Sequence, residues 1–368
     1  MKNIFIKTSL LFLLFYFNAQ SQVVPFDSGK WTIDAKVNKI ETHLGKKCLK
    51  IQGGIAYVTD SNFLNGIIEY DISFTGERGF MGAIWRMQDE DNYEEFYIRP
   101  HLSGMPDANQ YNPVYNGVAG WQLYFGKEYS APVIYHNNTW THVKIAVNDK
   151  SAEVYIDDMN KSALFINELK RDEKAGKVGL TVADFVPAYY ANFSVTTMEH
   201  VRLKCEAEPV KQAEPGTIMS WMVSNTFDEK LLHDKFNLSN EDTKTLTWTK
   251  LKTENSGIAN LAVLSGNRKD GNTVFTKLII YSEEARIKEI SFGFSDRVKV
   301  YVNAQELYSG NNNYMSRDYR YLGTIGYFDA LCLPLKKGRN EILFAVSEDF
   351  GGWGIQARLS DMKGIKIL

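Results

Sequence analysis

Cysteine is scarce: three in 368 residues, at Cys48, Cys205 and Cys332. An odd, sparse set supplies no disulfide framework, although one pair stays open. No Cys-x-x-Cys or His-Glu-x-x-His spacing occurs, which argues against the usual zinc sites. Charge of one sign is also lacking. With 42 basic and 44 acidic residues the net charge is −2, so there is no electrostatic footprint for nucleic acid or an anionic membrane. Long apolar runs are missing too, and no membrane span is expected. The run at 10–17 is too short to cross a bilayer and no later stretch is apolar enough. Preceded by Lys2 and Lys7 and followed by Ala19-Gln20-Ser21, that run reads as a signal peptide over 1–21. The expectation is an exported protein, periplasmic, cell-surface or extracellular, with no lipid anchor because no Cys follows the run.

What is present reads as strand. Ile68, Tyr70, Ile72 and Phe74 alternate with Glu69, Asp71 and Ser73; Val143, Ile145 and Val147 alternate and return through Ala152, Val154 and Ile156. Val298, Val300 and Val302, then Ile342, Phe344 and Val346, then Ile355, Ala357 and Leu359 repeat the pattern later. Amphipathic helices are not found, beyond a short turn around 166–171. Between the two groups, 201–216 is charged, proline-containing and aperiodic, which reads as a linker. The expected organisation is all-β: two β-sandwich (jelly-roll) domains at 22–200 and 217–368.

The segment 93–124 is the most unusual part. Phe96 and Ile98 take one side of a strand; Tyr93, Glu95, Tyr97, Arg99 and His101 take the other. Rings, a carboxylate, a guanidinium and an imidazole in one row suit a polyhydroxylated ligand, which stacks on flat apolar surface and needs fixed donors and acceptors. The alternative is a Tyr-rich sheet surface with a salt bridge. The stretch 102–119 reads as a long loop whose Asn109 and Tyr111 rim that face, with Gln122, Tyr124 and Arg86 completing the lining. Asp89, Glu90, Asp91 and Asn92 read first as turn chemistry and second as a Ca²⁺ site, with no other cofactor implied. Asn311, Asn312, Asn313, Tyr314, Arg317 and Tyr319 form a second polar-aromatic stretch.

Phe63-Leu64-Asn65-Gly66-Ile67-Ile68-Glu69-Tyr70-Asp71-Ile72, Trp140-Thr141-His142-Val143-Lys144-Ile145 and Gly176-Lys177-Val178-Gly179-Leu180 are the residues by which 23–198 resembles the concanavalin A-like (laminin-G/glucanase) superfamily. Residues 217–361 are similar to galactose-binding-like jelly rolls, on Phe294-Ser295-Asp296-Arg297-Val298 and Phe350-Gly351-Gly352-Trp353-Gly354. The first resemblance implies lectins, adhesion modules or glycan-cleaving enzymes. A laminarinase-type glucanase would carry Glu-x-Asp-x-x-Glu on one strand, but Phe74 stands where the third carboxylate belongs. Glu69 and Asp71 are therefore expected as solvated sheet-face residues, and His142 as a packed or surface histidine.

The leading expectation is a glycan-binding protein with carbohydrate as its partner. The alternatives are a glycoside hydrolase or lyase-like enzyme with Glu95 and His101 as acid and base, and an adhesion or structural module.

Overall fold

The computed structural model describes residues 22–209, 211–265, 271–318 and 320–368. The signal-peptide reading of 1–21 and the reading of Tyr319 lie outside the described residues. Alternation becomes strand almost throughout, and the all-β expectation holds. Among the described residues helix is confined to single turns, Pro100–Leu102, Glu229–Leu232, Asn240–Thr243 and Leu261–Val263. The turn expected around 166–171 is the end of the strand Leu164–Ile166 and the irregular chain after it.

The first part of the chain builds a 13-stranded antiparallel sheet. Its curl is organised by the long strand Lys46–Val58. Residues 49–51 pair with the strand Ala188–Thr197, whereas residues 54–57 pair with Lys177–Val182. Both flanks send alternate apolar side chains into one core, including Ile68, Tyr70 and Ile72 from one and Trp85, Phe96 and Leu180 from the other. The later part forms a 7-stranded and a 4-stranded sheet. Val298, Val300, Phe344 and Trp221 of one meet Phe292, Phe294, Leu333 and Ile355 of the other.

The stretch 102–119, expected as a loop, contains a strand, Asn109–Tyr115, in full register with Asn92–Ile98. It escapes the period-two test because polar side chains occupy both of its faces. Asn109 is fully buried, donating to Ala131 O (2.9 Å), and Tyr111 lies in the core, while Gln110 and Asn112 point the other way.

The two sandwiches meet along 115–125. Val118 belongs to the second core and Asn116 Nδ2 donates to Ala262 O (2.8 Å). Gln122, 0% exposed, commits every polar group it has. Its backbone N–H donates to Gly351 O (2.9 Å), and its carbonyl accepts from Ile325 N–H (3.0 Å). Its side chain donates to Leu322 O (2.7 Å) and accepts from Ser295 Oγ (3.0 Å). Gly351 permits this approach: a Cβ there would lie 2.7 Å from Trp121 Cε2 and from Gln122 Cδ.

Removing a fully satisfied buried amide strands its former partners. Gln122→Ala is expected to lower the unfolding free energy by about 1–3 kcal/mol, read by urea denaturation; an unchanged midpoint and slope would show that the junction contributes nothing.

Candidate functional site

On the strand Asn92–Ile98, Glu94, Phe96 and Ile98 point inward. Glu94, 0% exposed, accepts from Tyr111 Oη (2.5 Å) and from Arg171 N–H (3.1 Å). Tyr93, Glu95 and Tyr97 take the opposite face, as a pleated strand requires. Register extends that face sideways. Glu95 lies opposite Ile84 and Asn112, Tyr97 opposite Gly82 and Gln110. Ile84 and Gly82 in turn face Gly179 and Thr181, which face Tyr57 and Ile55. A Cβ on Gly82 would come within 1.9 Å of Phe96 O, so the neighbouring strand approaches too closely there for any side chain to stand between Thr181 and Tyr97.

Glu95 is the chemical centre of the face. It is half-buried and accepts from Asn112 Nδ2 at 2.6 Å. Burial pushes its carboxyl up to about 7, against the Asn112 hydrogen bond and the Arg99 charge. Near neutral pH it is present both as a hydrogen-bond donor and as an acceptor. Two amide side chains tie this row to the loop that follows. Asn112 Oδ1 accepts from Gly120 N–H (2.8 Å), and Gln110 Nε2 donates to Trp121 O (3.0 Å) and Tyr124 O (2.6 Å). The half-buried Trp121 ring then meets Phe350 and Tyr314 of the second sandwich edge-on, at 5.7 and 6.4 Å.

The residues expected to line one groove divide. Tyr93 and Glu95 are half-buried on the face. Tyr97 and Arg99 share it but are each only 6% exposed. Arg99 donates to Tyr97 Oη (3.0 Å), Asp107 O (2.8 Å) and Gln110 Oε1, with its guanidinium 5.0 Å from the Tyr97 ring centroid. These two brace the face more than they present themselves. His101 sits at its end, edge-on to Phe80 (5.5 Å), its Nδ1 accepting from Gly79 N–H (3.4 Å). Burial, with Arg78 and Arg99 nearby, lowers its pKa.

The remaining candidates are elsewhere. Arg86 lies within the irregular register between Trp85 and Asp89, with φ of 48°, and donates to Leu64 O (2.9 Å), Asn65 Oδ1 (3.1 Å) and Asp149 O (2.6 Å). That irregularity turns it away from the face. Asn109 and Tyr111 are in the core, and Gln122 is in the junction. Tyr124 is also in the junction, its Oη donating to Glu254 Oε1 across it. Glu95 is held by Asn112 and His101 by Gly79 N–H, and the Arg99 charge acts on both. Asp89 Oδ1 accepts from Asp91 N–H and Asn92 Nδ2, both at 2.9 Å, which is turn chemistry. Among the described residues no group of three or more His, Cys, Asp and Glu is placed to hold a metal ion. None of their helices is long and apolar enough to cross a membrane.

A second polar cluster lies on the other flank of the same sandwich, where the sequence reading expected solvated residues. Asp71, 7% exposed, accepts from His142 Nδ1 (2.7 Å), Lys46 Nζ (2.6 Å) and Asn192 Nδ2 (2.6 Å). Burial alone would raise this carboxyl; the three hydrogen bonds outweigh it and hold it at about 2. Asp71 and then Glu69 raise His142 to about 9. The signal was present, since Asp71 and His142 stand on alternating strands, but only the register Asp71↔His142 joins them. His43 stacks on Tyr189 nearby, with centroids 3.8 Å apart.

No protein-family model matches the sequence, and no curated protein matches it significantly. Solved structures do. The carbohydrate binding module CBM66 from Bacillus subtilis is 17% identical, over 46% of this chain and 96% of its own, with TM-score 0.36. A Bacillus licheniformis β-glucanase is 14% identical over 49% and 99%, with TM-score 0.35. A family 35 carbohydrate binding module from an environmental isolate is 16% identical over 26% and 72%, with TM-score 0.20.

Two outcomes are expected. Arg99→Ala removes a buried charge that holds three partners, and should cost about 1.5–3 kcal/mol per lost charged hydrogen bond at most, seen as a lowered thermal midpoint; a variant as stable as the wild type would mean that Arg99 is not a brace. The His142 contribution is complete below its ordinary 6.5 and is lost as pH rises through about 9. The alkaline decline in stability should therefore be steeper in the wild type than in His142→Gln, measured by urea unfolding across that range; parallel curves would contradict the pairing.

Proposed function

We propose that this protein binds carbohydrate through the Tyr93–Glu95 face of its first sandwich, and that it does so as an exported protein. The observation that carries the reading is Glu95, half-buried, held by Asn112 and brought close to neutrality by burial. A sugar hydroxyl both donates and accepts, and a carboxyl near half-protonation answers both needs. Tyr93 beside it and Trp121 at the rim offer flat apolar surface for ring stacking. The resemblance of 23–198 to concanavalin A-like domains agrees with this reading, and the export follows from the reading of 1–21. The alternative of hydrolysis by Glu95 and His101 lacks a second carboxylate on this face, since the neighbouring Glu94 is buried on the opposite one.

The test is binding of the full chain to a polysaccharide panel by affinity electrophoresis, with Tyr93→Ala and Glu95→Gln alongside. Loss of one stacking ring should weaken binding about three- to tenfold. Glu95→Gln should flatten the pH dependence of binding around 7. A panel without a binder, or binding indifferent to both substitutions, would contradict the proposal.

A further inference from the structure

The larger sheet of the second sandwich runs, in order, Trp248–Lys252, Ser220–Ser224, Thr273–Ser282, Gly338–Ser347, Arg297–Val302 and Gln305–Asn311, with Ile365–Ile367 also pairing to Thr273–Ser282. Trp221, Val223, Leu251, Leu278, Ile280 and Ile342 enter the core, so the residues alternating with them face outward. One part of that outer side is roofed: Leu232 and Leu238 pack on Phe275, Tyr301 and Leu343. The rest is open and basic. It carries Lys250, Lys252, Lys277, Arg339 and Lys366, and of the outward residues on the same strands only Glu341 is acidic. Register gathers them. Met222 lies between Lys250 and Lys277, and Tyr281 between Arg339 and Lys366. Arg339 reaches Glu341 at 3.4 Å, whereas the four lysines make no ion pair among the described residues. The charge balance of the whole chain does not extend to this face.

The sheet edge beside these lysines is open as well. In an antiparallel pair, residues along one strand bond alternately to the neighbour and away from it. Asn225 N–H donates to Thr247 O (3.0 Å) and Thr253 N–H to Met219 O (3.1 Å), so Thr249 and Leu251 also turn their backbone groups to the neighbouring strand. Trp248, Lys250 and Lys252 turn theirs outward, where the sheet ends. The residues that offer N–H and C=O at the edge are therefore those whose side chains stand on the basic face. Lysines on an edge strand guard it against indiscriminate pairing. That does not account for Lys277, which lies two strands in, with its Nζ 3.5 Å from the Trp248 ring centroid.

We infer that the Trp248–Lys252 edge receives an extended acidic segment of a partner protein, added as a further strand, with carboxylates at every second position beside Lys250 and Lys252. Backbone hydrogen bonds to 248, 250 and 252 supply the affinity of strand addition, and the side chains on one face supply its selectivity. Period two sends every second side chain of the incoming strand to the basic face, so its carboxylates meet the lysines and its other residues do not. Opposite charges side by side stabilise such a pairing, and a strand bringing lysines there is rejected. A lipid surface or a phosphate polymer answers the charge of this face but not the alternating donors and acceptors of its edge.

The experiment is fluorescence anisotropy of the full chain with a labelled peptide alternating Glu and Thr. The contrasts are a peptide of the same composition with Glu on both faces, and one alternating Lys and Thr. The alternating acidic peptide should bind best. Lys250→Gln and Lys252→Gln should each weaken it by up to about fivefold. Lys250→Pro also removes an outward N–H, which an edge strand tolerates, and should weaken it further than Lys250→Gln. Lys250→Glu combined with Lys252→Glu should transfer the preference to the lysine peptide; both positions are exposed, so the fold is kept. Equal binding of the two acidic peptides, or equal effects of Lys250→Pro and Lys250→Gln, would overturn strand addition. No binding of the alternating acidic peptide would overturn the inference, and capture of phosphatidylglycerol vesicles by the same lysines in its place would assign the face to lipid.

Discussion

The buried amide of Gln122 is where two sandwiches become one object. Its four hydrogen bonds reach Ser295, Leu322, Ile325 and Gly351, each from the later half of the chain. Because the residue is completely desolvated, none of those partners can be exchanged for water without leaving a buried polar group unpaired. That constraint fixes the loop at 120–124, and the loop fixes the edge of the candidate face. Gln110 and Asn112 reach across from the face to the same loop, so Glu95 is held at second hand by the second sandwich. Trp121 stands at the point where the two meet, with Phe350 and Tyr314 against it.

The neighbouring dipeptide Asp349-Phe350 ties the face to the strand Arg297–Val302 in the same manner. Both of its backbone N–H groups donate to Asp296 Oδ2, at 2.7 and 2.8 Å. From that anchor the Asp349 carboxylate turns to Arg297, while the Phe350 ring turns to Trp121. One short turn of the second sandwich thus contributes to both regions.

Much of the first face was legible. Period two separates Phe96 and Ile98 from Tyr93, Glu95 and Tyr97, and a one-residue slip would have sent all of them to the wrong side. Arg86 could not be placed that way, because the irregular register after Trp85 breaks the period just where it stands. The strand Asn109–Tyr115 was hidden by polar residues on both faces, with Asn109 satisfied inside the core by Ala131. Gln122 and Tyr124 looked like site residues because a junction between sandwiches uses the same vocabulary as a ligand site: amides, rings and a few fixed charges. Asp71 and His142 were separately visible, but their union depends on which strands pair and in what register, a long-range fact that no local window contains.

Carbohydrate binding at the Tyr93–Glu95 face is tested most directly by what occupies it. A crystal structure of the full chain with a bound oligosaccharide reads this without substitutions. The expected density is a sugar ring over Tyr93, with a hydroxyl within hydrogen-bond distance of the Glu95 carboxyl and an adjoining unit toward Trp121. A sugar found bound to the molecule while that face holds only water would contradict it.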